Sequence, residues 1–301
     1  MKKFLCIALA VVLTLGMVAA FAACSKDKGG EQTTAATETQ TESTENQKVK
    51  VVDVELSQEE YAFGVNKDDA DLLKKTNDLI KELKSNGKFD EICDHYFGNG
   101  TPTEVMSAEE DSSKDQLLVA TNAAFEPFEY KKGEAYLGID MEIAKLLADS
   151  LGKELVIKNM KFDAVITSVQ QGKADIAMAG LTVKPDRAKQ VNFSDSYYNA
   201  AQKLVVKGDD TTFDACKTKE DVEAILAKYD ASTVMGGQNG TTGQSYVQGD
   251  KEFGFAGVKA TWKGYDNASL AIQDLINGNV NLVIIDSAPA DAVTKAMNAT
   301  A

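Results

Sequence analysis

Apolar residues recur along this chain in two alternating rhythms, short unbroken runs and longer stretches at helical spacing. After Lys114 the alternation is regular. Residues 117–120 read as a short strand, and 138–151 as a helix with Ile143, Ala144, Leu146, Leu147 and Leu151 on one face and Asp140 near its start. Residues 155–157 form a second strand, 163–171 a helix stopped by Gly172, and 176–179 a third strand. This βαβαβ rhythm predicts a mostly parallel sheet with helices on its faces. A second series follows. The helix 218–228 opens with Thr218 and Asp221 at capping-box spacing. Then come a strand at 232–235, a helix beginning at Gly240, Thr241 and Thr242, and a strand at 258–261. A helix at 266–277 ends at Gly278, and 282–285 is a strongly apolar strand. These predict a second, smaller α/β lobe. An earlier block holds a strand at 49–54, an extended run at 61–65 and a helix at 68–85. That helix carries Leu72, Leu73, Leu79, Ile80 and Leu83 on one face, and a shorter helix, 89–97, follows it. The polar stretch 98–113 reads as a linker.

The first residues predict the compartment. Lys2 and Lys3 precede an apolar run over 4–23, and Cys24 follows Ala22 and Ala23 directly. A positive start, an apolar middle and small residues before a cut describe a signal peptide, placed at 1–23. The stretch Phe21-Ala22-Ala23-Cys24 resembles the bacterial lipobox, with Phe21 where leucine is usual. It implies an extracytoplasmic protein anchored to the cell membrane by a lipidated Cys24. A single membrane-spanning anchor is the alternative, since the run is long enough to cross. Residues 25–47 are rich in Ser, Thr, Glu and Gln and carry no large apolar side chain. Such a segment cannot bury enough surface to offset its ordering entropy, so 24–48 is predicted to be a flexible tether.

Charge narrows the function. The formal net charge is −14, which leaves no basic stripe for nucleic acid. His95 is the single histidine, so a histidine-based triad or a His-rich metal site is hard to build. No cofactor or metal is expected. Cys93 lies in a helical run and Cys216 in a polar connector, and both are read as unpaired thiols. About 250 residues remain for folding, enough for two modest domains in a monomer.

Four motifs carry a more specific signal: ATNAAFEPFEY (120–130), LGIDMEIAKLLADSLG (137–152), MAGLTVKPDRAKQVNFSDSYY (178–198) and NGTTG (239–243). Together they resemble the polar amino-acid-binding proteins of bacterial ABC importers, family 3, glutamine-binding-protein-like. The resemblance implies an α/β fold of two lobes, the periplasmic-binding-protein-like (Venus flytrap) fold of type II. The order departs from the family. A block reading like residues 59–98 closes the family's proteins, whereas here it comes first. A circular permutation accounts for this, with the old ends joined through 98–113 and new ends in the second lobe. Surface termini tolerate such joining and cutting. An unrelated N-terminal extension is the alternative. Under permutation, lobe 1 spans 57–199, including the joining linker 98–113, and lobe 2 combines 49–56 with 200–301. Two crossings, near 59–63 and 198–204, would act as a hinge.

The same resemblance implies a ligand site. A buried amino-acid zwitterion needs a partner for each charge. Arg187 would take the carboxylate with two parallel donors; from the residues alone a surface arginine among Lys184, Asp186 and Lys189 is the preferred reading. Ala179, Gly180 and Thr182 follow a strand where α/β sheets place ligands. Asp286 would pair the ammonium, or simply cap a helix ahead of Ser287. Thr241 and Thr242 would add hydrogen bonds at a helix start, and a plain cap explains either one as well. Phe125 and Phe162 would sandwich the ligand side chain. Relatives carry charged or titratable readers where this chain has Asn122, Gln238 and Ile285, so a neutral ligand is expected, polar or thioether/disulfide-containing. The expected partners are a free amino acid and a membrane permease, with no chemistry on the ligand. The alternatives are a dehydratase-like enzyme on the same fold and an adhesin or sensor module.

Overall fold

The computed structural model describes residues 47–299. The predicted signal peptide, Cys24 and most of the tether lie outside the described residues. The chain enters through strand β1 (Val49–Val52), then β2 (Glu59–Tyr61) and β3 (Gly64–Asn66), and helices α1 (Ala70–Ser85) and α2 (Lys88–Phe97). Next come β4 (Gln116–Thr121), a hairpin series β5 (Ala124–Phe125), β6 (Glu129–Lys132) and β7 (Ala135–Leu137), then α3 (Ile139–Leu151). The units β8 (Glu154–Asn159), α4 (Phe162–Gln170), β9 (Ile176–Ala177), α5 (Pro185–Ala188) and β10 (Val191–Phe193) complete this half. Strands β11 (Tyr198–Ala200) and β12 (Gln202–Lys207) lead into α6 (Lys219–Leu226), β13 (Val234–Gln238) and α7 (Thr242–Gln248). Then follow β14 (Thr261–Tyr265), α8 (Ala268–Ile276), β15 (Leu282–Asp286) and α9 (Ser287–Ala299).

These strands form two five-stranded sheets, ordered β10-β3-β9-β4-β8 and β1-β12-β15-β13-β14. The expected mostly parallel pairing is corrected here. β4 runs parallel to β8 and β9, and β13 parallel to β14 and β15, but β3 is antiparallel to β9 and β10, and β12 to β1 and β15. The parallel neighbours are joined by helical crossovers, as parallel pairing requires. The antiparallel strands are those reached from the connections between the sheets, so they enter in the opposite direction. Only two such connections run between the sheets among the described residues, and they pair with each other. β2 and β11 form an antiparallel ribbon, Tyr61 opposite Tyr198 and Glu59 opposite Ala200.

Each sheet is buried on both faces, which explains the continuous apolar runs. In β4, Leu117 and Val119 face a core shared with Ile139, Ile143 and Leu147 of α3. Ala120 faces Val165 and Val169 of α4 on the other side. In β15, Leu282 and Ile284 join Val222 and Leu226, whereas Val283 and Ile285 join Ile272 and Leu275. Burying each of these Val, Leu and Ile side chains contributes about 1.5–3 kcal/mol. α1 turns Leu72, Ile80 and Leu83 inward, and the Asp69 carboxylate caps it by accepting from the Leu72 N–H at 2.8 Å. The Thr218–Asp221 capping box is present at the start of α6. Cys93 and Cys216 are free thiols.

Three sequence expectations shift. The strand expected at 258–261 lies at Thr261–Tyr265, because Val258 and Ala260 pack as loop residues against the second core instead. The linker 98–113 is laid along the first sheet. Val105 is buried and exchanges two backbone hydrogen bonds with Tyr136, Ala108 N–H donates to Leu155 O, and Lys158 pairs with Glu110. The hairpin series β5–β7 and helix α9 are additional elements. Gly138 closes the hairpin onto α3: it sits at φ +123°, and a Cβ there would lie 2.0 Å from the Phe128 carbonyl oxygen. Among the described residues no helix is long and apolar enough to cross a membrane.

Candidate ligand site

Where the two halves meet, nine residues line one cavity. Phe125, Phe162, Gly180, Thr182 and Arg187 come from the first half, and Gln238, Thr241, Thr242 and Asp286 from the second. The empty space between these residues is about 250 Å³, open solvent included, of which only about 10 Å³ admits the centre of a water molecule, about one water's worth. The lining side chains therefore reach across most of the gap.

Arg187 sits on the single turn of α5, which Pro185 starts. Its guanidinium is buried. Nη1 donates to the Thr182 carbonyl at 2.9 Å and Nη2 to the Gly240 carbonyl of the opposite half at 3.0 Å. The group also lies 5.4 Å from the centre of the Phe162 ring. Burial pulls its pKa down, while the charges of Asp186, Glu59 and Asp286 hold it up; arginine keeps its charge in such settings. Asp286 ends β15, and its Oδ1 accepts from the Tyr61 hydroxyl at 2.6 Å. Burial, then the nearby charge of Glu59, push its carboxyl up to about 7.

Behind these two charges runs a buried hydrogen-bonded chain. The Thr242 hydroxyl donates to Thr182 Oγ1 at 3.1 Å, and Thr182 donates to Glu59 Oε2 at 2.7 Å. Glu59 Oε1 accepts from Ser57 Oγ at 2.6 Å and from Gln202 Nε2 at 3.0 Å. Glu59 and Tyr61 both lie on the ribbon strand β2, so they reach the lining residues Thr182 and Asp286 from behind, out of the connection between the halves. Gly180 has φ +53°, and a Cβ would lie 2.8 Å from Phe125 Cε1. Only glycine lets the Phe125 ring close over that strand end. The Gly180 N–H donates to Asp140 Oδ2 at 3.0 Å, and Tyr197 donates to Asp140 Oδ1 at 2.6 Å. Burial outweighs these bonds and lifts Asp140 to about 7. Burial and the Asp140 charge push Glu129 well above the usual carboxylate range.

Of the eleven expected ligand residues, two stand apart. Asn122 lies at the rim, where its Oδ1 accepts from Gln238 Nε2 at 2.8 Å and its Nδ2 donates to the Met160 carbonyl at 2.7 Å. Ala179 is fully buried in the core with Leu181 and Val165. Ile285, expected near the ligand side chain, also belongs to a core cluster. Thr241 caps α7 by accepting from the Gln244 N–H, and its hydroxyl also donates to the Gln238 carbonyl at 2.7 Å. Sequence reasoning missed Glu59, Tyr61 and Asp140. Glu59 stands in the polar stretch Ser57-Gln58-Glu59-Glu60, which carries no local signal, whereas Tyr61 opens the extended run 61–65.

A cleft between two α/β halves, with a guanidinium on one wall and a carboxylate on the other, defines a protein that binds a small solute. The sequence profile of the bacterial extracellular solute-binding proteins, family 3, matches residues 117–281, more than half of the chain, and the chain belongs to that family. The arginine-binding extracellular protein ArtP of Bacillus subtilis (strain 168) is 41% identical over 99 residues, 33% of this chain and 39% of that protein. A solved structure of an ancestral arginine-binding protein bound to arginine matches with a TM-score of 0.51 at 34% identity, covering 61% of this chain and 75% of that one. An ancestral amino-acid-binding protein described as a precursor of cyclohexadienyl dehydratase matches with a TM-score of 0.51 at 33% identity, covering 60% and 74%. The matches span less than two thirds of the length of the curated relatives.

Proposed function

We propose that this protein captures one free amino acid between its two halves and presents it, closed, to the permease of an ABC importer. One observation carries the reading. Arg187 and Asp286 belong to opposite halves yet line the same cavity, a guanidinium on one wall and a carboxylate on the other, the complement of a zwitterion. Both present partners of Arg187 are main-chain carbonyls, and a carboxylate would suit its two parallel donors better. Because little free space remains, a ligand enters when the halves part, and the β2–β11 ribbon is the hinge. The relatives named for arginine and other amino acids support an amino-acid ligand.

The ligand class we favour is neutral. Asp286 is the one acid lining the cavity, and the ammonium uses it. The remaining lining is aromatic or uncharged apart from Arg187. Glu59, in the network behind, already has both oxygens engaged. A cationic side chain would lack a countercharge, which is costly in a buried site. With its acid so occupied, the site binds without chemistry, in contrast to a dehydratase. Lipidation of Cys24 would hold the protein at the outer face of the membrane.

A circular permutation explains the chain order. Strand β3 lies between β9 and β10 in the first sheet, although its block precedes the matched family region. The segment 98–113 runs along that sheet to β4. The Asn298 side chain bonds the backbone of Val49, so the two ends of the second half lie side by side.

A thermal-shift screen of the full chain against free amino acids, followed by calorimetry, tests the function. A neutral amino acid should give the largest shift, and Arg187→Ala should abolish it. A charged amino acid binding best would overturn the ligand class; no shift with any amino acid would overturn the function.

A further inference from the structure

Outside the cavity, three ion pairs join the two halves among the described residues, and all three have the same polarity. Lys161, Lys184 and Lys189 belong to the first half; their partners Asp266, Asp250 and Glu252 belong to the second. Lys161–Asp266 at 3.0 Å and Lys189–Glu252 at 2.9 Å are well exposed on both sides, and pairs of that kind contribute little singly. Lys184 differs. Its side chain is 5% exposed, its Nζ donates to Asp250 Oδ2 at 2.9 Å and to Ser245 Oγ at 2.7 Å, and it lies 5.7 Å from the centre of the Phe253 ring. Asp186, on its own half, is 3.8 Å away and largely exposed. Lys184 is not among the residues lining the cavity.

A buried ammonium is tolerable only with its countercharge in place. Here the close countercharge, the hydroxyl acceptor and the covering ring all come from the second half, so Lys184 is buried and satisfied only while the halves are together. Once they part, it returns to water along with Asp250. The two flanking pairs extend the same arrangement along the cleft mouth, a basic lip facing an acidic one.

We propose that this charged rim is a latch, anchored at Lys184, that sets the balance between open and closed forms without touching the ligand. Lys184 is therefore a positioning residue. Its effect on affinity rests on the amino-acid-binding reading; its effect on the separation of the halves does not. Apparent affinity scales with the closed fraction, so weakening the latch lowers affinity by one common factor for every ligand. Added salt screens the exposed pairs and opens the cleft.

The test uses the full chain carrying one dye on each half, with energy transfer measured before any amino acid is added. Lys184→Met and the double reversal Lys161→Glu/Lys189→Glu should each widen the separation, and high salt should widen it in the unaltered protein. Calorimetry should then show Lys184→Met weakening every amino acid that binds by the same factor, roughly tenfold. Unchanged separation in both variants overturns the latch, as do affinity losses that differ from ligand to ligand. Should Lys184→Met fail to fold, the exposed double reversal decides alone. If no amino acid binds the unaltered protein, the functional reading falls while the separation measurements still decide the latch.

Discussion

Asp286 should make ligand binding release a proton. A ligand ammonium needs the carboxylate form, yet burial and the neighbouring charge of Glu59 hold this carboxyl at about 7 before the ligand arrives. At neutral pH the site is then about half protonated, and binding expels roughly half a proton. Apparent affinity carries the factor by which protonation competes. From about pH 8 down to about pH 6 binding should weaken roughly tenfold, about 1.4 kcal/mol. Arg187 does not titrate in this range, so the slope reports the acid. Glu59→Gln removes the like charge, lowers the pKa of Asp286, and should move the affinity midpoint to lower pH while reducing proton release at neutrality. Isothermal titration calorimetry in buffers of different ionisation enthalpy counts the protons directly. Affinity that stays flat between those pH values, with no proton exchange in either buffer, would refute the pairing of Asp286 with an ammonium.

Three further outcomes are expected. Gly180→Ala forces a side chain into left-handed backbone, at about 1–2 kcal/mol, and drives the Phe125 ring out of contact; calorimetry should show at least about tenfold weaker binding, and unchanged affinity would mean the ring does not pack on that strand end. Asp140 and Asp286 both have folded pKa values raised to about 7, so the native state holds protons that the unfolded chain gives up. Their stabilisation is complete below about pH 4 and is lost as pH rises through about 7; urea midpoints from these groups should fall from about pH 5.5 to about pH 8, and Asp140→Asn should flatten the trend. A rearranged chain that runs from Gln116 to Ala299, continues through a short linker into Val49 and ends at Phe97 should fold and bind as the original does, measured by circular dichroism and calorimetry; an unfolded product would argue against the permutation.

What could be read from the residues follows the range of the forces involved. The helix expected at 138–151 is found at Ile139–Leu151, because its apolar face has a local period that only burial against a sheet satisfies. The turn at Gly240 and the capping box at Thr218 are equally local. By contrast, 98–113 looked like a linker because its attachment to the first sheet runs mainly through backbone hydrogen bonds, which leave no trace in side-chain patterning. Nine of the eleven expected ligand residues share one cavity, but motif likeness did not reveal that Arg187 rests on two carbonyls. Glu59 and Lys184 escaped for a related reason. A charged side chain in a polar stretch reads as solvated, and nothing local distinguishes it from one buried by a partner far along the chain: Glu59 meets Thr182, and Lys184 meets Asp250. Such pairs exist only because the fold brings distant segments together, Glu59 with Thr182 within the first half and Lys184 with Asp250 across the cleft, so neither burial is written in the local sequence.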